Sequence, residues 1–168
     1  ELNIMNARGE IDLPDSVLER LDIAIASIHM PCFKDERTID NVTAAYEKVM
    51  EHPYVDIIGH PDDGRFPVDM KRLVKKAKET GTLLEVNNSS LRPEGFRENT
   101  KENCLEMVKE CKAQGVMIVL GSDSHVDTDI AEYPYAEEIL RETDFPEELV
   151  ANVSLEKLKA CIKHGKKL

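Results

Sequence analysis

The sequence predicts an α/β fold in which short strands alternate with amphipathic helices around a parallel sheet. Short β-branched runs recur along the 168 residues, and apolar residues at helical spacing separate them. Glycines also stand where helices should end, just before the next strand. The length fits a single domain, residues 1–168, that can bury a core without disulfides.

Five runs are predicted to be strands, at residues 2–4, 23–28, 55–58, 82–86 and 116–120. Three apolar stripes between them predict helices. The stripes are Val42, Tyr46, Val49 and Met50; Met70, Leu73, Val74 and Ala77; and Leu105, Val108 and Cys111, with Gly81 and Gly115 as C-caps of the last two helices. A fourth helix is expected at 135–141. A final helix should follow Ser154 as N-cap, with Leu155, Leu158 and Ile162 on its buried side.

Composition limits the classes of function. A net charge of −11 and a pI near 4.9 disfavour a nucleic-acid binder, which needs clustered Lys and Arg. The four cysteines form no CxxC pair, so reduced thiols are expected. No apolar run approaches the ~20 residues that cross a bilayer, and no signal peptide opens the chain. A cytoplasmic protein without a membrane partner is the expectation.

Ligand-capable side chains accompany every predicted strand. The carboxyl ends of parallel strands form the active-site face of α/β sheets and barrels, so such side chains should meet there. Histidine and carboxylate together are the ligand set for zinc, manganese or iron, which favours a metal site. The residues are Glu1 at the first strand, His29, His60, Asn87 with Asn88, and Asp123 with His125 at the fifth.

Each of these residues has a simpler interpretation on its own. A single histidine after a strand is usually a loop or capping residue, and only the joint pattern favours a metal site. Asp62 and Asp63 could orient His60 as hydrogen-bond acceptors, but their Pro-Asp-Asp-Gly context favours a solvated turn. His52 and His164 are expected to be structural.

Five segments resemble motifs of the PHP (polymerase and histidinol phosphatase) superfamily, especially its small stand-alone phosphatases of the YcdX type. The segments are Gly-Glu-Ile-Asp at 9–12, Ser-Ile-His at 27–29, Ile-Gly-His-Pro at 58–61, Leu-Glu-Val-Asn-Asn-Ser-Ser at 84–90 and Leu-Gly-Ser-Asp-Ser-His at 120–125. The resemblance implies a distorted seven-stranded β/α barrel with a trinuclear cluster of divalent ions (Zn, Mn or Fe). In that family a metal-bound hydroxide attacks a phosphate ester.

The resemblance also implies roles for individual residues. Glu1 would bridge two ions, and His29 and His60 would bind one of them. Asp123 and His125 would bind the others and so be catalytic through the metal. Arg92 and Arg97, in the polar loop 91–100, could bind the substrate phosphate together with Asn87.

The chain departs from the family pattern at its start. The family opens with a His-x-His strand and two further histidines, which do not occur before Glu1. We therefore expect the chain to be the C-terminal part of the barrel, about its last five strands. The missing strands would come from upstream in the same polypeptide or from a partner chain. An incomplete sheet could also self-associate through its edge.

The expected function is a metal-dependent phosphatase that hydrolyses small phosphate monoesters, although the chain on its own need not be active. One alternative is a nuclease or proofreading activity, like that of PHP domains attached to DNA polymerases. The net negative charge of the chain counts against a nuclease. Another alternative is a non-catalytic metal-binding fragment.

Overall fold

Five short strands form one parallel sheet in the computed structural model, which describes residues 1–163. The strands lie side by side in chain order: β1 (Leu2–Asn3), β2 (Ile25–Ser27), β3 (Ile57–Ile58), β4 (Leu83–Asn87) and β5 (Ile118–Gly121). The predicted parallel α/β fold with five strands is confirmed, and the arrangement is consistent with part of a barrel. His164 lies outside the described residues.

Helices follow the strands, and each α-helix in the described residues was predicted except the short first one. They are α1 (Asp15–Leu18), α2 (Ile39–Val49), α3 (Met70–Thr80), α4 (Thr100–Gln114), α5 (Pro134–Thr143) and α6 (Leu155–Cys161). Gly81 and Gly115 end α3 and α4 in the left-handed conformation, as predicted. Side-chain oxygens of Thr38 and Asp69 cap the first turns of α2 and α3.

The two faces of the sheet have different partners. Leu84 and Val86 of β4 belong to the main core, in which the sheet packs against α2 to α5. Leu83 belongs instead to a small second cluster with Ile57, Val119 and Ala151. Because side chains alternate along a strand, Glu85 and Asn87 share the face of Leu83. We call this the inner face; in β4 it is apolar at the start of the strand and polar toward its carboxyl end.

Helix α6 covers the apolar part of the inner face, but less of it is buried than the sequence predicted. Ser154 is its N-cap and accepts a hydrogen bond from the Lys157 amide, as expected. Leu155 is 54% exposed, so its predicted burial is wrong. Only the second turn of this seven-residue helix, with Leu158 and Cys161, reaches the second cluster.

Both edge strands make hydrogen bonds on their outer sides. The Asn152 side chain pairs with the Leu120 backbone, donating to its carbonyl at 2.9 Å and accepting from its amide at 3.0 Å. At β1, the Asn3 amide donates to Asp12 Oδ1 at 2.8 Å. Such local pairing blunts a sheet edge, and the predicted self-association stays untested.

All four cysteines are free, as expected, and Cys104 and Cys111 are buried in the main core. Within residues 1–163, every helix is too short or too polar to cross a membrane.

Candidate functional site

Glu1, His29 and His60 come together although they are far apart in the sequence. Their ligand atoms all lie within 4.8 Å of one another. Nε2 of His60 is 3.2 Å from Glu1 Oε1, and Nε2 of His29 is 3.6 Å from the same oxygen. The two imidazole rings lie 5.0 Å apart, edge to face. We call these three residues the histidine group.

The backbone explains how the three side chains meet. His29 and His60 each follow a strand by two residues, at the ends of β2 and β3. His60 has a φ of 32°, a left-handed value that is uncommon outside glycine and concentrates at functional sites. Glu1 precedes β1 and lines a cavity together with Ile25, so it reaches the histidines from the inner face rather than from a strand end.

Hydrogen bonds orient His29 for ligation. Its Nδ1 lies 2.7 Å from Asn3 Oδ1, and Asn3 Nδ2 donates in turn to Asp12 Oδ2 at 2.6 Å. Because an amide oxygen only accepts, Nδ1 carries the proton and the Nε2 lone pair faces Glu1. An outer partner that fixes the tautomer in this way is the usual companion of a metal-binding histidine.

His60 is held more deeply. Its side chain is 3% exposed, and its backbone amide donates to Glu85 Oε2 at 2.8 Å. Its Nδ1 is buried without a hydrogen-bond partner among the described residues. Its other ring nitrogen, Nε2, faces Glu1. Glu85 therefore holds the backbone of His60, while Nε2 points toward the other members of the histidine group.

The protonation states of Glu1 and His29 suit a metal ion. The hydrogen bond from His60 is the largest cause that lowers the pKa of Glu1 to about 2, so this carboxylate is ionised. Burial lowers the pKa of His29, which favours the neutral imidazole. Metal ligation requires an ionised carboxylate and neutral imidazole. One carboxylate and two imidazoles fit zinc, manganese or iron.

A buried carboxylate that the sequence analysis did not select supports this arrangement. Glu85 is 6% exposed and also accepts from Asn87 Nδ2 at 3.0 Å. A Cβ on Gly121 would lie 1.8 Å from Glu85 Oε1, and one on Gly59 would lie 2.3 Å from Ser27 Oγ. The glycines of the Gly-His-Pro and Gly-Ser-Asp motifs therefore leave room for the side chains of this inner face. The sequence did offer an indication of this role, because Glu85 is a charged residue between apolar residues of a strand.

Asp123 lies in a separate group of polar side chains, where it forms an ion pair with the guanidinium of Arg97. Both terminal nitrogens of Arg97 donate to Asp123 Oδ2 at 3.0 Å, and Nη1 also donates to Ser90 Oγ at 2.9 Å. Asn87 Nδ2 donates to the same Asp123 oxygen at 3.2 Å. Arg97 is only 8% exposed, so this is a buried ion pair. We call Asp123, Arg97 and Asn87 the arginine group.

The two remaining predicted site residues lie outside the histidine group. His125 is exposed, and its Nδ1 is 3.2 Å from the Asp123 carbonyl oxygen. Arg92 is 40% exposed and donates to Asp129 Oδ2 at 2.5 Å.

The turn after His60 is buried, so the prediction of a solvated turn is wrong. Asp62 and Asp63 are 0% and 2% exposed. The turn is covered because Asn103 of α4 donates to the Asp62 carbonyl, while the Gly64 amide donates to the Glu98 carbonyl. Burial raises the pKa of Asp62 to about 7, and within residues 1–163 neither of its carboxylate oxygens has a hydrogen-bond partner.

A cavity of about 310 Å³ adjoins both groups on the inner face. It presents oxygen ligands and amide groups toward solvent at the carboxyl end of the sheet. Its polar lining consists of Glu1, Glu85, Asn87, Ser122, Asp123 and Tyr133.

Several known proteins that are similar to this chain are called probable phosphatases. A probable phosphatase of Clostridium novyi is 45% identical over 168 residues, which is all of this chain and 68% of that protein. Probable phosphatases of Acetivibrio thermocellus and Caldicellulosiruptor saccharolyticus are 42% and 40% identical and are covered to 67% and 69%. The chain thus spans about two thirds of these relatives. No protein-family model matches it.

Proposed function

This chain belongs to the family of these bacterial probable phosphatases, and we propose that it carries the metal site of a metal-dependent phosphoesterase acting on small phosphate monoesters. The observation that carries the proposal is the histidine group, in which three potential ligands face one another. A metal ion in such a site would suit a phosphatase, because hydrolysis of a phosphate ester requires neutralisation of the charge on the phosphate.

The histidine group would hold one divalent ion of zinc, manganese or iron. Asp123 and His125 would serve the further ions of the trinuclear cluster that the PHP resemblance implies. When bound, such ions neutralise phosphate oxygens and supply hydroxide at neutral pH. Asn3 keeps the His29 ring in its binding orientation, and Glu85 holds the His60 backbone.

Arg97 and Asn87 of the arginine group would bind the substrate phosphate. Arg97 already presents two N–H groups to one carboxylate oxygen, and planar guanidinium groups bind phosphate oxygens in the same two-pronged manner. Asn87 directs an amide N–H toward the same point. Arg92 would assist from the loop once its exposed pair with Asp129 opens, because such surface pairs are weak.

The test combines metal content with turnover in the full-length protein. We expect bound metal by elemental analysis, hydrolysis of a generic phosphate monoester and no degradation of labelled single-stranded DNA. Asp123→Ala and Asp123→Asn should abolish turnover, whereas Asp127→Ala, at an exposed aspartate, should not. Two variants are used because alanine leaves Arg97 without its partner. Turnover retained in folded Asp123→Asn would refute the metal account, and degradation of DNA without ester hydrolysis would favour a nuclease.

A further inference from the structure

Phe96 is a large aromatic side chain that points into solvent beside the candidate site. It is 72% exposed, the most exposed large apolar side chain in the described part of the chain. The next residue is Arg97, whose guanidinium contacts Asp123 at 3.0 Å. The exposed ring therefore stands one residue away from the proposed phosphate-binding group.

Two fixed guanidinium groups hold this ring. The Cζ atoms of Arg65 and Arg97 lie 4.9 and 5.3 Å from the Phe96 ring centroid, within the range of cation–π contacts. Arg65 is itself paired with buried Asp63, and Arg97 with Asp123. The position of the ring is thus set by two anchored cations, although most of its surface stays free.

A small cavity opens next to the ring. It has a volume of about 260 Å³ and is lined by Ser89, Arg92, Glu94, Gly95, Phe96 and Arg97. Sites for whole drug-sized ligands begin near ~300 Å³, so this cavity suits one part of a ligand. An aromatic face, guanidinium planes and a carboxylate are the groups that stack on and hydrogen-bond to a nucleobase.

We infer that Phe96 is a stacking platform for a planar aromatic group of the substrate, so that the preferred ester is a nucleoside monophosphate. The inference rests on the proposed function, because Arg97 must bind the phosphate for the base to reach Phe96. The 5.3 Å between the Arg97 guanidinium and the ring is short enough for one sugar to connect the two ends. Glu94 lines the same cavity and can accept a hydrogen bond from an N–H group of the base.

The experiment compares adenosine 5′-monophosphate with ribose 5-phosphate in the metal-loaded full-length protein. Both carry the phosphate on the same primary hydroxyl, so the pair isolates the base. We expect wild type to favour the nucleotide by about tenfold in KM and in calorimetric affinity, the scale of one stacked base. Phe96→Leu should remove most of that preference, whereas Phe96→Tyr should retain it. The matched control is Ile39→Ala, at another exposed apolar residue on α2, which should change nothing.

The two readouts separate this inference from the proposed function. Hydrolysis of both esters with equal KM, or a preference that survives Phe96→Leu, would overturn the platform and leave the phosphatase intact. Binding that depends on the base and on Phe96 without hydrolysis would support the platform and reject the phosphatase. Failure to bind either ester would overturn both.

Discussion

The histidine group and the arginine group differ in how far the folded chain arranges their side chains for binding a metal ion. In the histidine group, Glu1, His29 and His60 face one another, and hydrogen bonds from outside hold the ring of His29 and the backbone of His60. In the arginine group, the potential ligand Asp123 is already neutralised by buried Arg97. The comparison teaches that the backbone and hydrogen bonds alone bring together the three potential ligands of one group. A second ion at Asp123 would have to replace a guanidinium.

The largest expected effect is the loss of metal binding on His60→Ala. This variant removes a ligand from the preset group, so its effect should exceed the ~10–100-fold that loss of an outer hydrogen-bond partner costs. Isothermal titration with Zn²⁺ measures it. His52→Ala is the matched control, because His52 contacts Asp15 on another part of the surface. Equal affinity in both variants would show that the histidine group is not the ion site.

Arg97→Met should separate the two groups by stability. In the metal-free protein it leaves the partly buried carboxylate of Asp123 without its cation, although Asn87 still donates to it. We expect the free energy of unfolding to fall by about 3 kcal/mol, the lower end of the cost of breaking a buried ion pair. In the metal-loaded protein the loss should be smaller, because an ion at Asp123 supplies the missing charge. Urea denaturation of both forms measures the difference.

Arg92→Met provides the comparison for that experiment. Its ion pair with Asp129 is 40% exposed on the arginine side, so it should contribute no more than about 1 kcal/mol with or without metal. An Arg97→Met loss that is the same in both forms would mean that no ion binds at Asp123.

Asp62 lies near both groups and interacts electrostatically with each of them. Burial raises the pKa of Asp62 to about 7, while His60 and Arg97 each act to lower it. Its folded pKa lies above its ordinary value of 3.8, so folding favours the protonated acid. In wild type the resulting loss of stability grows as the pH rises from about 4 and is complete above about 7.

Asp62→Asn removes that pH dependence. We expect the metal-free variant to be about 4 kcal/mol more stable than wild type at pH 8, from ~1.4 kcal/mol for each of about three pKa units, and similar to it near pH 4. Asp22→Asn, at an exposed position, is the control. Urea denaturation across this range gives both curves. A variant that is less stable at pH 8 would indicate that the carboxylate has a partner in the folded protein.

A smaller effect on metal affinity than that of His60→Ala comes from the outer partner of His29. Asn3→Ala removes the acceptor for Nδ1 and lets the ring turn, so metal affinity should fall by about 10–100-fold. Asn41→Ala, in α2 and away from the group, should leave it unchanged. An unchanged affinity in Asn3→Ala would mean that burial alone orients His29.

The fold and the meeting of His29 with His60 could be predicted from the sequence because both follow from local patterns. Apolar periodicity placed the helices, and His29 and His60 are bound to strand ends, where parallel sheets gather their loops. Long-range packing produced the rest. The Asp62–Asp63 turn is buried only because α4 and the loop before it cover it. The pairing of Arg97 with Asp123 joins residues 26 apart that share no motif.

The most direct test is an anomalous-scattering map of crystals of the full-length protein grown with Zn²⁺. The account predicts an ion ~2.0–2.1 Å from Nε2 of both His29 and His60, with a Glu1 carboxylate oxygen as a further ligand. An ion bound elsewhere, with Glu1 still hydrogen-bonded to His60, would contradict it.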